Sequence, residues 1–134
     1  MEISRTATTQ AAAPLASMRA LLEELDDAPG EVTLIYRAST QQELVFREEL
    51  DEIASRTGAS VHYVLGPRLR RRTSWLPESA ANLSDSQALL GFAPHLSDSD
   101  VYICGALGWM TAVRDAAYDA GVSPEQVHLE RFSW

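Results

Sequence analysis

The feature that most constrains this chain is a repeated alternation between short apolar runs and helix-length segments. The runs occupy residues 32–36, 61–65, 101–104 and 127–131, and β-branched or aromatic residues dominate the first three. Near-continuous apolar runs are typical of strands that are buried on both faces of a parallel sheet. Because helical segments separate the runs, the pattern predicts βαβ units with right-handed crossovers. We therefore expect an open, mostly parallel α/β sheet with helices on both faces.

Local signals place helices between these predicted strands. Two capping-box pairs, Thr40 with Glu43 and Ser84 with Gln87, predict helix starts, and Gly121 predicts a left-handed helix end. Apolar residues recur at helical spacing in two further segments. They are Met18, Leu21, Leu22 and Leu25 in one segment, and Trp109, Met110, Val113, Ala116, Ala117 and Ala120 in the other.

The first 17 residues fit this pattern least well. Ile3, Thr6, Thr8 and Thr9 favour a short polar strand, since β-branched residues suit strands. We therefore divide the chain into a short N-terminal segment, residues 1–17, with a degraded first strand and turn, and an α/β domain over residues 18–134.

Composition limits the class of protein. A chain of 134 residues with 46% apolar residues is long enough for one domain with a core. No apolar run approaches the roughly 18 residues of a membrane span, and the first four residues lack the basic start of a signal peptide. The formal net charge of −8 argues against general nucleic-acid binding. These features predict a cytoplasmic protein without membrane or nucleic-acid partners.

Metal and cysteine chemistry have little support in the sequence. His62, His95 and His128 lie far apart, so we predict no metal site. Cys104 is the sole cysteine, which excludes an internal disulfide. It stands at the end of a predicted strand, where ligands of open α/β sheets bind. The alternative is that it is a small buried core residue.

Four stretches of the sequence resemble one known family. They are residues 18–25, 32–38 with 43–46, 101–105 followed by Met110, and 128–132; the third reads Val-Tyr-Ile-Cys-Gly and the last His-Leu-Glu-Arg-Phe. In this order and spacing they are similar to the C-terminal NAD(P)H-binding domain of the ferredoxin–NADP reductase superfamily, in its ferric-reductase-like branch. The resemblance implies a domain that binds NAD(P)H and presents the nicotinamide to a flavin held by a separate domain.

The resemblance also implies positions around the cofactor. Cys104 and Gly105 would lie by the nicotinamide. Apart from the resemblance, the position of Trp109 indicates either a core residue or a wall of the same pocket. Arg37 and Ser39 would face the adenosine-ribose end. The remaining implied site residues are Arg68 and Ser74, which bound a segment suited to a 2′-phosphate, and Phe132 near the flavin edge. Apart from the resemblance, Glu130 is a candidate because it is a polar residue at the end of the last predicted strand.

Two departures from the family leave other functions open. The glycine-rich pyrophosphate turn would fall at residues 12–17, where both glycines are replaced, one of them by proline. The sequence also holds no flavin domain. The chain is then either the NAD(P)H-binding part of an oxidoreductase with a separate flavin domain, or a repurposed domain for a non-nucleotide ligand, such as a binding protein, cyclase or isomerase. A homodimer in which residues 2–9 pair across subunits is compatible with both.

Overall fold

A five-stranded parallel sheet forms the centre of the molecule. The computed structural model describes residues 4–10 and 32–131. The strands are β1 (Ser4–Gln10), β2 (Val32–Ala38), β3 (Ser60–Leu65), β4 (Ser99–Gly105) and β5 (Val127–Arg131). Every paired neighbour is parallel, and the strand order is β3-β2-β1-β4-β5. The predicted open parallel sheet is confirmed, and the carboxyl ends of its strands share one edge.

Three α-helices accompany the sheet in the described ranges: α1 (Arg47–Thr57), α2 (Asp85–Phe92) and α3 (Leu107–Asp119). The Ser84 hydroxyl caps α2 by accepting the N–H of Gln87 at 3.1 Å, as the sequence predicts. Gly121 follows α3 with a φ of +101°, the left-handed conformation predicted for the end of this helix. None of the helices described is long and apolar enough to span a membrane.

Each face of the sheet carries its own apolar cluster. Side chains of a strand point alternately to the two faces. Ile35 and Ile103 therefore point to one face, where they pack in a cluster with residues of α2 and α3. Leu34 and Tyr36 point to the other face and pack in a cluster with Leu50 of α1. The core is thus divided by the sheet, and the site lies where the sheet ends.

The helix predicted from Thr40 begins later than its capping signal. Glu43 Oε1 accepts the N–H and the hydroxyl of Thr40 at 3.1 and 3.2 Å, but this pair closes only a single 3₁₀ turn, Gln41–Glu43. Leu44 and Phe46 then leave helical geometry, because their side chains are buried in the cluster beneath α1. The continuous helix starts only at Arg47.

The first strand lies at the centre of the sheet, and it is longer than the degraded or short strand that its sequence predicts. It has seven residues, like β2 and β4, and it pairs with both of them. Thr6, Thr8 and Thr9 are buried. Threonine suits this position because it is β-branched and because both neighbouring strands satisfy the backbone. The sheet edges are β3 and β5, so β1 has no free edge for the subunit pairing predicted for residues 2–9.

The packing of β1 can be tested at the hydroxyl of Thr8. Its Oγ1 is buried and has no hydrogen-bond partner in the part of the chain that the structure describes, and an unpaired buried hydroxyl costs about 1–3 kcal/mol. Thr8→Val removes the hydroxyl at nearly constant volume, so we expect the free energy of unfolding to rise by about 1 kcal/mol. Chemical denaturation measures this, and Thr8→Ser, which keeps the hydroxyl and loses the methyl, should be less stable than wild type. A Thr8→Val protein that is less stable than wild type would contradict a buried, unpaired hydroxyl at this position.

Candidate functional site

A cleft of about 520 Å³ opens at the carboxyl edge of the sheet. Ligands of open parallel α/β sheets bind at this edge. Its walls come from the ends of β2 and β4 and from the loop after β3. The lining residues are Arg37, Ala38, Ser39, Glu43, Arg68, Thr73, Ser74, Trp75, Leu76, Ala106, Gly108 and Trp109. The structure therefore brings together five of the residues singled out in the sequence: Arg37, Ser39, Arg68, Ser74 and Trp109.

Arg37 is the most buried charged group in the cleft, with 7% of its surface exposed. Its guanidinium Nε donates to the Trp75 carbonyl oxygen at 3.2 Å, and its Nη1 donates to the carbonyl oxygens of Ala38 and Val64. These acceptors fix the orientation of the guanidinium but carry no charge. Nη2 has no acceptor among the described residues, so two N–H donors remain for a ligand.

The positive charge of Arg37 is only partly balanced. Burial lowers the pKa of the guanidinium, and the Glu43 carboxylate raises it in part. Arginine nevertheless stays protonated in proteins. The Glu43 carboxylate accepts two hydrogen bonds from Thr40. No acidic group in the described ranges forms an ion pair with Arg37. Because a buried cation without a bonded counter-charge is costly, the cleft suits an anionic ligand.

The loop after β3, residues 67–77, is called here the arginine loop, and it is firmly anchored. Arg68 and Pro77 form an isolated antiparallel bridge that closes its two ends. The Trp75 indole N–H donates to the backbone oxygen of Asp85 at 3.1 Å, which joins the loop to α2. The apolar anchors of the loop are Leu69, Trp75 and Leu76, all buried. The loop therefore presents its exposed side chains from a fixed backbone.

The arginines of this loop look equivalent in sequence, but they differ in the residues that they contact in the fold. Arg72 donates to two backbone carbonyl oxygens and approaches Asp85 at 3.4 Å, so it fastens the loop to the start of α2. Arg71 lies 3.6 Å from Glu78. Arg68 lines the cleft and forms no ion pair within the described ranges. Arg68 is therefore the loop arginine placed to meet a ligand.

A second wall of the cleft is uncharged. Ala106, Gly108 and Trp109 form it where β4 passes into α3. Cys104 and Gly105 directly precede this wall in β4, but both are buried and neither lines the cleft. The nicotinamide was predicted to lie at the end of β4. The residues that line the cleft there are the ones that follow β4, and Cys104 is not among them.

Two of the predicted site residues have no described side chain. Glu130 lies in β5, in register with Cys104 of β4. Phe132 lies beyond the described residues, as does the predicted pyrophosphate turn at residues 12–17. Over the ranges that are described, no cluster of three or more His, Cys, Asp or Glu could hold a metal ion.

Glu43 lines the cleft but was not among the predicted site residues. Its spacing from Thr40 indicated only a helix cap, and a local motif cannot report what lies across the cleft. Ser74 was predicted and does line the cleft. Its hydroxyl, however, already donates to Asp85 at 2.6 Å and accepts the Leu76 N–H at 3.0 Å.

An all-parallel sheet with this strand order, and a cationic cleft with an aromatic wall at its carboxyl edge, define a nucleotide-binding type of α/β domain. Residues 7–115 match the family described as the oxidoreductase NAD-binding domain. The chain belongs to this family, which confirms the resemblance to the ferredoxin reductase superfamily predicted from sequence.

Individual relatives agree with this assignment. The ferredoxin reductase component of 3-ketosteroid-9-alpha-monooxygenase from Mycobacterium tuberculosis is 32% identical over 108 residues, which are 81% of this chain and 27% of the relative. The CS-b5R domains of human Ncb5or superpose with a TM-score of 0.70 at 18% identity, covering 98% of this chain and 37% of theirs. The flavohem-like FAD/NAD-binding domain of a Vibrio cholerae nitric oxide dioxygenase superposes with a TM-score of 0.68 at 21% sequence identity. This match covers 98% of this chain and 52% of that domain. The chain thus spans about a quarter of the length of the Mycobacterium tuberculosis reductase component.

Proposed function

We propose that this chain binds a nicotinamide dinucleotide in the cleft at the carboxyl edge of the sheet, as the cofactor-binding part of a flavin-dependent oxidoreductase. The observation that carries the proposal is Arg37, a buried guanidinium that has, among the described residues, two donors left over and no bonded counter-charge. An anionic phosphate group satisfies both requirements, because charge-assisted bonds to arginine are the strong ones.

The lining of the cleft suits the two ends of such a ligand differently. Arg37, Ser39 and Arg68 offer donors where phosphate and ribose groups would lie. Ala106, Gly108 and Trp109 offer an uncharged wall for a flat ring. We assign the phosphate-bearing, adenosine end to the first group and the nicotinamide to the second. Bound there, the reduced nicotinamide supplies a hydride for a flavin on a separate domain.

Choice between NADH and NADPH depends in this proposal on Glu43 and Arg68. A carboxylate at this edge accepts a hydrogen bond from the 2′-hydroxyl of NADH, whereas an arginine accommodates the 2′-phosphate of NADPH. Both side chains line the cleft. Glu43 Oε1 is engaged by Thr40, while Arg68 has no ion pair in the described ranges. This asymmetry favours NADPH.

Arg68→Gln tests that preference, with Arg71→Gln as the matched control from the same loop. We expect the dissociation constant for NADPH to rise about tenfold in Arg68→Gln, because one charged contact to phosphate is lost. The constant for NADH should change little, and Arg71→Gln, whose partner is Glu78, should leave both nearly unchanged. Calorimetric titration measures all four constants. Equal loss for both cofactors, or equal loss in both variants, would contradict a 2′-phosphate contact.

In this proposal a flavin-binding domain docks against the surface around the cleft. The two most exposed large apolar side chains of the described ranges are Val45, 71% exposed, and Leu107, 55% exposed. Each is close in sequence to cleft-lining residues, Glu43 in one case and Gly108 in the other. Exposed apolar groups beside a cofactor cleft fit a surface that another domain covers.

A second candidate function is a repurposed domain whose cleft holds a non-nucleotide anion. One feature favours it: no glycine precedes Gly30, so the usual glycine-rich phosphate turn cannot occur after β1. The two functions differ in a simple assay. Cofactor-dependent dye reduction by the chain together with a flavin-bearing partner supports the oxidoreductase. Binding of small carboxylates without any binding of NADH or NADPH supports the repurposed domain.

A further inference from the structure

The first residue of α2, Asp85, holds the arginine loop through both its side chain and its backbone. Its carboxylate oxygen Oδ1 accepts the Ser74 hydroxyl at 2.6 Å and lies 3.4 Å from Nη2 of Arg72. Its backbone oxygen accepts the Trp75 indole N–H at 3.1 Å. These three loop residues lie 10 to 13 positions away from Asp85 in sequence. A single residue of the helix therefore fixes the last part of the arginine loop.

The Ser74 hydroxyl extends this constraint to the backbone on both sides of Trp75. The hydroxyl donates to Asp85 and at the same time accepts the Leu76 N–H at 3.0 Å. Because a hydroxyl has only one proton to donate, it cannot turn without losing the bond to the carboxylate. The backbone before and after Trp75 is thus tied to Asp85, and the direction of the Trp75 carbonyl group is set by these bonds.

The Trp75 carbonyl oxygen in turn orients the guanidinium of Arg37, whose Nε donates to it at 3.2 Å. The other two acceptors, the backbone oxygens of Ala38 and Val64, both bond Nη1, and both belong to strands of the sheet. With these two alone, the planar guanidinium could pivot about Nη1. The Trp75 oxygen supplies a second fixed point, so it determines the direction of the remaining Nη2 donors.

Asp85 does not line the cleft that we assign to the dinucleotide. It lines a second cleft, of about 620 Å³, between the arginine loop and α3, where Asp119 is another lining residue. A substitution at Asp85 therefore removes no group that lines the dinucleotide cleft. Its effect on binding must be transmitted through the contacts from Ser74 to Trp75 and from Trp75 to Arg37.

We propose that Asp85 is a positioning residue for the anion contact, and that it acts on the Arg37 guanidinium through Ser74 and the Trp75 carbonyl oxygen. The inference rests on the proposed function for the identity of the ligand, whereas the contacts that carry it are present without a ligand. Loss of the carboxylate leaves Arg37 in the cleft but lets its guanidinium rotate. An anion then meets donors that have no fixed direction, and it binds less tightly.

Asp85→Ala tests this role, because it removes the carboxylate and keeps the backbone oxygen that bonds the Trp75 indole. We expect the dissociation constants of NADH and NADPH to rise about three- to tenfold. Asp85→Asn keeps an acceptor for the Ser74 hydroxyl and should recover most of the affinity. The matched control is Asp119→Ala, which removes an exposed carboxylate from the same second cleft and should leave both constants within about twofold of wild type.

A double-mutant cycle separates positioning from a general loss of structure. In Arg37→Gln the group that Asp85 orients is gone, so adding Asp85→Ala should change neither constant by more than about twofold. Ser74→Ala breaks the same connection with a smaller change and should weaken binding as Asp85→Ala does. Equal losses from Asp85→Ala in the presence and absence of Arg37 would overturn the inference, because the effect would not pass through the guanidinium.

Proton–nitrogen NMR of the ligand-free chain tests the connection without any dinucleotide. The arginine Nε–H signal that is missing in Arg37→Gln identifies Arg37. That signal should shift or broaden in Asp85→Ala and in Ser74→Ala, and it should stay in place in Asp119→Ala. An unchanged signal in whichever of the first two variants folds would overturn the inference. A signal that responds as expected, in a wild-type chain that binds neither NADH nor NADPH, would support the positioning role and overturn the proposed function.

Discussion

Replacing Arg37 with Gln is expected to raise the dissociation constant for NADH and NADPH about a hundredfold, because two charge-assisted contacts to phosphate are lost. The substitution should also lower the free energy of unfolding by about 2–3 kcal/mol, since three backbone carbonyl oxygens lose the bond from the guanidinium. Arg37→Lys should not restore binding. An ammonium group cannot hold three carbonyl oxygens in these directions and still present two further donors.

Arg47→Gln is the matched control for this experiment. Arg47 is the first residue of α1; it lies 3.9 Å from Asp51 and over the Tyr63 ring, and it does not line the cleft. Its substitution should change binding by less than about twofold, as expected for an exposed ion pair. Titrations at a temperature where every variant is folded separate binding from stability. Wild-type affinity in folded Arg37→Gln would exclude this guanidinium as the anion contact.

Trp75→Ala is expected to lower the free energy of unfolding by about 3–5 kcal/mol, the usual cost of deleting a buried tryptophan ring. The side chain is 1% exposed and contacts Phe92 edge-on, with ring centroids 6.3 Å apart. Its carbonyl oxygen also holds Arg37. Loss of the ring should therefore loosen the arginine loop and weaken dinucleotide binding in the protein that still folds.

Chemical denaturation measures this loss, and Leu83→Ala is a control on the segment that leads into α2. Leu83 is 42% exposed, so its truncation should cost less than about 1 kcal/mol. Trp75→Phe should lie between wild type and Trp75→Ala, because it keeps most of the buried area but loses the bond to Asp85. A loss below about 1 kcal/mol in Trp75→Ala would contradict the anchored state of the loop.

Local patterns in the sequence were sufficient for most of the architecture. The apolar runs, the Ser84–Gln87 cap and the left-handed Gly121 each act over a few residues, and each is found where the sequence predicts it. The Thr40–Glu43 pair also forms, yet the helix does not start there, because burial of the next apolar side chains overrides the cap. Propensity and capping are weak beside tertiary packing.

The central position of β1 was harder to predict from its composition. Its buried threonines look like surface residues in a hydropathy pattern, but a strand paired on both sides needs no apolar side chains to satisfy its backbone. The site shows the same limit. The bond from Arg37 to Trp75 joins residues 38 positions apart, and the separate roles of Arg68 and Arg72 depend on acceptors elsewhere in the fold. Spacing in sequence cannot report such contacts.

The most direct test of the account is a titration of the nitrogen-15-labelled chain with NADPH and NADH up to several millimolar, followed by NMR. Dinucleotide binding in the cleft predicts saturable shifts of the backbone amides of Ser39, Ser74 and Gly108, with little change at α1 on the far side of the sheet. Those shifts should be lost in Arg37→Gln and retained in Arg47→Gln. Spectra that stay unchanged through the titration, or shifts that persist in Arg37→Gln, would contradict it.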